Sequence, residues 1–366
     1  MFENLVLVTR PAIEPRVTDD PDWPGRRNVD VAGRLLEGYV AAQFKYARFL
    51  YGQLEHNWGP VGLPGIPLSN YGYERQGLFV ELGNRTVRLS ALATDLADGP
   101  DSAGVINHRY YFVHRLGVRL SPRVFLAAWE GNVLAGDDRN FETRYRNPLS
   151  FGYLANTVGI GDRGNEILGL DARWQAFGKT TLEAQVAIDD FWYKDRGQNR
   201  DRWALTFAAW GPLGRTMSWR AMYSQVSSLA LRAFNRAENF TDAGVGIGRN
   251  FSDNDHFLLR VSVPVRDRWL VTPELAFFRQ GEGRIEDPYP VQPELADTPA
   301  LFIGTVERTL RAAVALSGKE GPVGISGEVG FHRVMNAGHL AGVTENRVEA
   351  RVRGTLGVGW TGTIRD

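Results

Sequence analysis

Carboxylates, imidazoles and hydroxyls are the side chains that could do chemistry, and their spacing decides whether they can cooperate. Asp189 and Asp190 are adjacent, and adjacent carboxylates can push one pKa up into general-acid range. They close "TTLEAQVAIDD" (180–190), however, a stretch of period two. Consecutive strand residues point to opposite faces, so the two carboxyls diverge. The six histidines, His56, His108, His114, His256, His332 and His339, form no HExxH or HxH pair, so no metal ligand set is readable. Ser69, Ser150 and Ser227 lie in long segments outside any GxSxG elbow. "GDDRN" (136–140) and "FSDNDH" (251–256) lack EF-hand spacing, and "GVGIG" (244–248) and "GIGDRG" (159–164) open no helix that would cradle a phosphate. These residues give no reaction and no cofactor; the reading is a protein that is not an enzyme.

A second set of residues suits a different chemistry. Sugars present apolar C–H faces and many hydroxyls, so a site for them needs flat rings beside fixed donors and acceptors. "HNWG" with "SNYGYER" supplies Asn57, Trp58, Asn70, Tyr71, Tyr73 and Arg75. "DDFWYKDR" supplies Asp189, Trp192, Tyr193, Lys194 and Arg196. The same rings also read as a membrane-interface girdle, and both readings stand at this point.

The elements that must position these residues alternate in polarity. Leu182, Ala184, Val186 and Ile188 oppose Thr181, Glu183, Gln185, Ala187 and Asp189. Phe257, Leu259, Val261 and Val263 oppose Leu258, Arg260 and Ser262; the run 344–358 sets Val348, Ala350 and Val352 against Arg347, Glu349 and Arg351. Tight turns (81–87, 119–124, 176–181, 211–216, 264–269, 317–322) take turns with longer segments near 10–32, 55–74, 96–106, 133–164, 191–201, 226–240, 280–298 and 333–344. About eighteen strand candidates of ~9–12 residues result, a weak one at 151–157 and another at 241–250 included, long enough to cross a bilayer at a tilt. Short and long connections in turn, with charge on one strand face, predict a transmembrane up-and-down antiparallel β-barrel with short periplasmic turns and long extracellular loops, a single domain over 1–366. Trp58, Trp129, Trp192, Trp203, Trp210, Trp219 and Trp269 are expected at the interfaces.

Composition agrees. Among 366 residues, 42 Lys and Arg balance 42 Asp and Glu, which gives no general reason to bind nucleic acid. Cysteine is absent, excluding disulfides and thiolate metal sites. A soluble all-β protein is the competing fold, but its turns would not segregate by length.

Several segments, taken together, resemble the Wzi-type capsule assembly family of outer-membrane proteins: "FLYGQLEHNWGPVGLPGIPLSN" (49–70), "HRYYFVHRLGVRLSPRVFLAAWEG" (108–131), "NPLSFGYLANT" (147–157), "NEILGLDARW" (165–174) and "AIDDFW" (187–192). The resemblance spans 33–230. It implies a monomeric barrel in outer-membrane lipid that binds capsular or exopolysaccharide at the cell surface and aids capsule assembly or attachment, a lectin without catalysis. The family also carries a signal peptide and an N-terminal helical segment. "MFENLVLVTRP" shows neither, and "GWTGTIRD" (359–366) lacks a terminal aromatic residue, so trimmed ends are expected. A general porin, which needs an open lumen and a loop folded inward, is the alternative; Arg220, Arg260, Arg311, Arg351 and Arg353 could instead bridge across the lumen to Glu183, Glu328 and Glu349 and plug it.

Overall fold

The structure is a computed structural model. It describes residues 4–14, 18, 29–70, 74–137, 139, 164–190, 201–249 and 251–356. The first eleven strands are β1 (Leu5–Glu14), β2 (Ala32–Gln43), β3 (Ala47–Leu54), β4 (Arg75–Gly83), β5 (Val87–Pro100), β6 (Ile106–Ser121), β7 (Val124–Gly136), β8 (Gly164–Gln175), β9 (Thr181–Asp190), β10 (Arg202–Leu213) and β11 (Met217–Val226). The others are β12 (Thr241–Asp242), β13 (Val245–Gly246), β14 (Asn254–Val265), β15 (Trp269–Gln280), β16 (Glu307–Glu320), β17 (Val323–Met335) and β18 (Thr344–Leu356).

Sixteen of these form one sheet in which each strand pairs antiparallel with the next, β11 passing directly to β14. An even-numbered up-and-down meander of long strands is the architecture of outer-membrane barrels. β12 and β13 form a separate small hairpin. The expected barrel strand at 241–250 is therefore corrected: residues 241–249 belong to the connection between β11 and β14. Ala243 and Gly244, at φ 48 and +83, turn the chain back after two residues, too early for a membrane strand. The weak candidate at 151–157 lies outside the described residues.

Strand parity decides which side chains face the membrane. Leu182, Val186 and Ile188 on β9 are 37–49 % exposed, whereas Glu183, Gln185, Ala187 and Asp189 are buried. Phe207, Phe257, Leu275, Leu310 and Val329 continue the exposed apolar face around the sheet. Exposed rings Phe44, Tyr46, Phe49, Trp174 and Phe177 cluster near the short-turn end, where an interfacial belt belongs. Trp58, Trp129 and Trp210 depart from that belt. Trp58 and Trp129 are buried, Trp129 Nε1 donates to Asp171 and Trp210 Nε1 to Glu183, so these three point into the lumen.

The turns at one end are short for local reasons. Asn84 Oδ1 accepts from the N–H groups of Thr86 (2.7 Å) and Val87 (3.0 Å), and Ser121 Oγ accepts from Arg123 and Val124. At the other end, the expected long segment 96–106 is mostly strand: β5 runs to Pro100 through an irregularity between Leu96 and Gly99. Among the described residues the helical structure is confined to 3₁₀ turns and the four-residue Glu294–Asp297.

Candidate functional site

The segment between β3 and β4 does not stay outside the barrel. Asn57 shapes it: its Oδ1 accepts from Gly59 N–H (3.0 Å) and Gly65 N–H (2.9 Å), and its Nδ2 donates to Leu63 O (2.8 Å). One side chain thus ties off a compact loop of the Asx-turn kind. Trp58 N–H donates to Leu68 O at 3.0 Å, closing the base of that loop.

The loop then meets the lumen wall on several sides. Val61 N–H donates to Glu183 (3.0 Å) and Ile66 N–H to Gln185 Oε1 (2.6 Å) on β9. Gln185 Nε2 returns a bond to Trp58 O at 2.9 Å and a second to Asp171 on β8 at 2.8 Å. From β6, Tyr111 Oη donates to Pro67 O at 2.5 Å. From β11, Arg220 lies against Gly62, where an added Cβ would meet Nη1 at 2.4 Å. Ile66 and Leu68 are buried, so the segment carries its own apolar core into the barrel. Polar backbone taken out of water must be paired, and here lumen side chains pair it.

The long connections close over this segment. Ser69 Oγ donates to Gly248 O at 2.6 Å, and a Cβ on Gly248 would sit 1.8 Å from Ile66 O, which is why the last position of "GVGIG" is a glycine. Arg109 donates to the carbonyls of Ala237 (2.5 Å), Asn239 (2.8 Å) and Thr241 (2.8 Å). Asp253 accepts from Gly283, Phe302 and Ile303 N–H groups, joining the β11–β14 and β15–β16 connections. Two cavities, about 560 Å³ and about 410 Å³, flank the inturned segment.

The candidate sugar-binding residues do not gather into one exposed patch. Asn57 is the organiser of the inturned loop. Trp58 is 9 % exposed inside the barrel, with the Arg115 guanidinium 5.8 Å from its ring. Arg75 is buried, 3.3 Å from Asp242, and donates to Ser69 O. Asp189 is buried, accepting from Leu231 N–H (2.9 Å) and lying 3.4 Å from Arg202. Asn70 is exposed at the long-connection end. Tyr71, Tyr73, Trp192, Tyr193, Lys194 and Arg196 lie outside the described residues.

The lumen ion pairs agree in part with the sequence reading. Arg311 bridges Glu274 and Glu328, Arg260 pairs with Glu274, and Arg351 pairs with Glu349 at 2.5 Å. Glu183 takes Arg173 at 3.4 Å, and Arg220 is turned to the inturned loop instead. Gln185, Asp171 and Arg109 were not singled out as site residues by sequence. Their inward parity was readable on the strands, but their partners lie far along the chain.

The sequence matches no family profile and no curated protein. Among solved structures, the chain is similar to the Escherichia coli outer-membrane protein Wzi, described as involved in group 1 capsule assembly and as a carbohydrate-binding β-barrel. The TM-score is 0.62 at 12 % identity, over 88 % of this chain and 70 % of that one. It is also similar, at TM-score 0.47, to OprD (9 % identity, 89 % of this chain and 79 % of that one) and to OccK11 (13 %, 88 % and 81 %), both from Pseudomonas aeruginosa. At such identities the likeness concerns the fold. An apolar exterior, a charged interior, connections sorted by length and the likeness to Wzi agree: the chain folds as a β-barrel of the kind that sits in bacterial outer membranes.

Proposed function

We propose that this barrel binds capsular or exopolysaccharide at the cell surface, helps assemble or attach capsule, and catalyses no reaction. The observation that carries the reading is the inturned segment 55–70. Bonded to β6, β9 and the Gly248 region and pressed against Arg220, it occupies space that a diffusion channel needs open. On this reading a barrel filled in this way works through its surface rather than its pore. The sequence resemblance and the similarity to a carbohydrate-binding barrel give that surface a ligand class. Exposed Asn70, with Tyr71, Tyr73, Trp192, Tyr193 and Lys194, remains the proposed glycan-binding set, while Trp58, Arg75 and Asp189 are buried.

A diffusion channel is the competing reading; a loop folded inward is what a porin also has, and the two cavities left beside the segment favour it. Planar-bilayer recording separates them. The lectin reading expects no steady conductance from the intact protein; a large, continuous conductance rejects it. In cells, Trp192→Ala with Tyr193→Ala should lower surface retention of polysaccharide while the barrel remains heat-modifiable on gels. Unchanged retention sinks the assignment of that loop.

A further inference from the structure

The larger cavity opens toward the short turns, the periplasmic end of such a barrel. Trp58, Gly59 and Pro60 of the inturned segment form its floor. Three of its cations are already matched. Arg115 lies 2.6 Å from Asp171, Arg173 lies 3.4 Å from Glu183, and Arg88 lies 3.5 Å from Glu81. Three others, Arg119, Arg123 and Lys179, line the same space with no carboxylate in ion-pair range among the described residues. All three are exposed at its rim.

The backbone that carries these charges is fixed by local turns. Arg119 and Arg123 flank the turn that Ser121 ties. Lys179, at φ 70, sits in a 3₁₀ turn closed by Thr180 N–H to Phe177 O at 2.9 Å. The ring of Phe125 carries the guanidiniums of Arg115 and Arg119, 5.5 Å and 6.0 Å from its centroid, which restricts the planar forks before any ligand arrives. Trp58 and Trp210 add flat apolar surface. A volume of about 560 Å³ is within the range of small-ligand sites.

We propose that this vestibule is a second ligand site, which takes an acidic saccharide by its carboxylate or phosphate group. Guanidinium forks match the paired oxygens of both groups, and the flat indole surface suits the apolar face of a sugar ring. The proposal rests on the glycan-binding reading and narrows it to an acidic glycan met from the periplasmic side.

The test uses the full chain in detergent, with calorimetric titration of trigalacturonate, maltotriose and inorganic phosphate at low salt. Trigalacturonate is expected to bind at least about ten-fold more tightly than either other probe. The triple variant Arg119→Gln, Arg123→Gln, Lys179→Gln should lose about ten-fold or more of that affinity. Arg236→Gln with Arg284→Gln, at the opposite end, should lose none. Equal binding of maltotriose and trigalacturonate overturns the acidic preference while leaving a glycan site standing. Phosphate binding as tight as trigalacturonate overturns the saccharide. A triple variant that binds like the parent overturns the location. Surface retention of polysaccharide, governed by the long-connection end, fails or succeeds independently of all three outcomes.

Discussion

Gln185 and Ile66 are 119 positions apart in the chain, yet the Ile66 N–H donates to Gln185 Oε1 at 2.6 Å. The same amide donates through Nε2 to Trp58 O, so one side chain on β9 holds both ends of the inturned loop. Gln185→Ala leaves a buried N–H and a buried C=O unpaired, a cost of about 1–3 kcal/mol for each group left without a partner. The expected result is faster proteolysis within 57–66 and intermittent channel openings in a planar bilayer. A variant as protected and as silent as the parent would show that Asn57 and Tyr111 suffice.

Arg109 plays the corresponding part at the long-connection end, where three carbonyls converge on its guanidinium. Hydrogen bonds from a charged donor are worth about 1.5–3 kcal/mol each, and loss of several should release the 236–242 connection before the barrel melts. Arg109→Met should therefore raise amide hydrogen exchange at Asn239 and Thr241 while leaving the β14–β15 ladder protected. Lys in its place should restore only part of the protection, because an ammonium lacks the planar fork.

The membrane-facing parity of β9 predicts an asymmetry between neighbours. Val186→Arg puts a charge on the lipid side and should cost about 2–4 kcal/mol near mid-bilayer, read as a lowered denaturation midpoint for refolding into vesicles. Ala187→Ser, one position along and inward, should cost far less. Equal effects would mean that the exposed apolar face is not in lipid.

His56 stacks on Phe79 with ring centroids 5.2 Å apart. Burial, with Arg48 and Arg75 nearby, lowers its pKa to about 4. The folded loop therefore favours neutral imidazole. A depressed folded pKa gives stability that is complete above about 6.5 and is lost as pH falls toward about 4. Hydrogen exchange of the 57–66 amides should accelerate across that window in the parent. His56→Gln should remove this component, while carboxylate titration remains in both proteins. Identical pH profiles would show that His56 does not couple to the loop.

The barrel was legible because its causes are local. Period-two polarity on β9 and β14 assigns faces without any long-range information, and Asn84 and Ser121 announce their own turns. The 241–250 segment misled for the same reason: Val245 and Ile247 alternate as barrel residues do, but Ile247 is buried against the loop core and not in lipid. Trp129 and Trp210 were equally ambiguous, since a ring near a strand end suits an interface or a lumen, and only the presence of Asp171 and Glu183 beside them decides.

The sequence by itself determined most of the sheet, its inside and its outside, and the tight turns at one end, because alternation and turn chemistry act between neighbours in the chain. Tertiary structure alone decided that Asn57 and Trp58 turn inward, that Arg75 and Asp189 anchor loops, and that three cations meet at the periplasmic rim. Those arrangements depend on pairing buried amides and charges across the lumen, and the partners are brought together only once the sheet has curled.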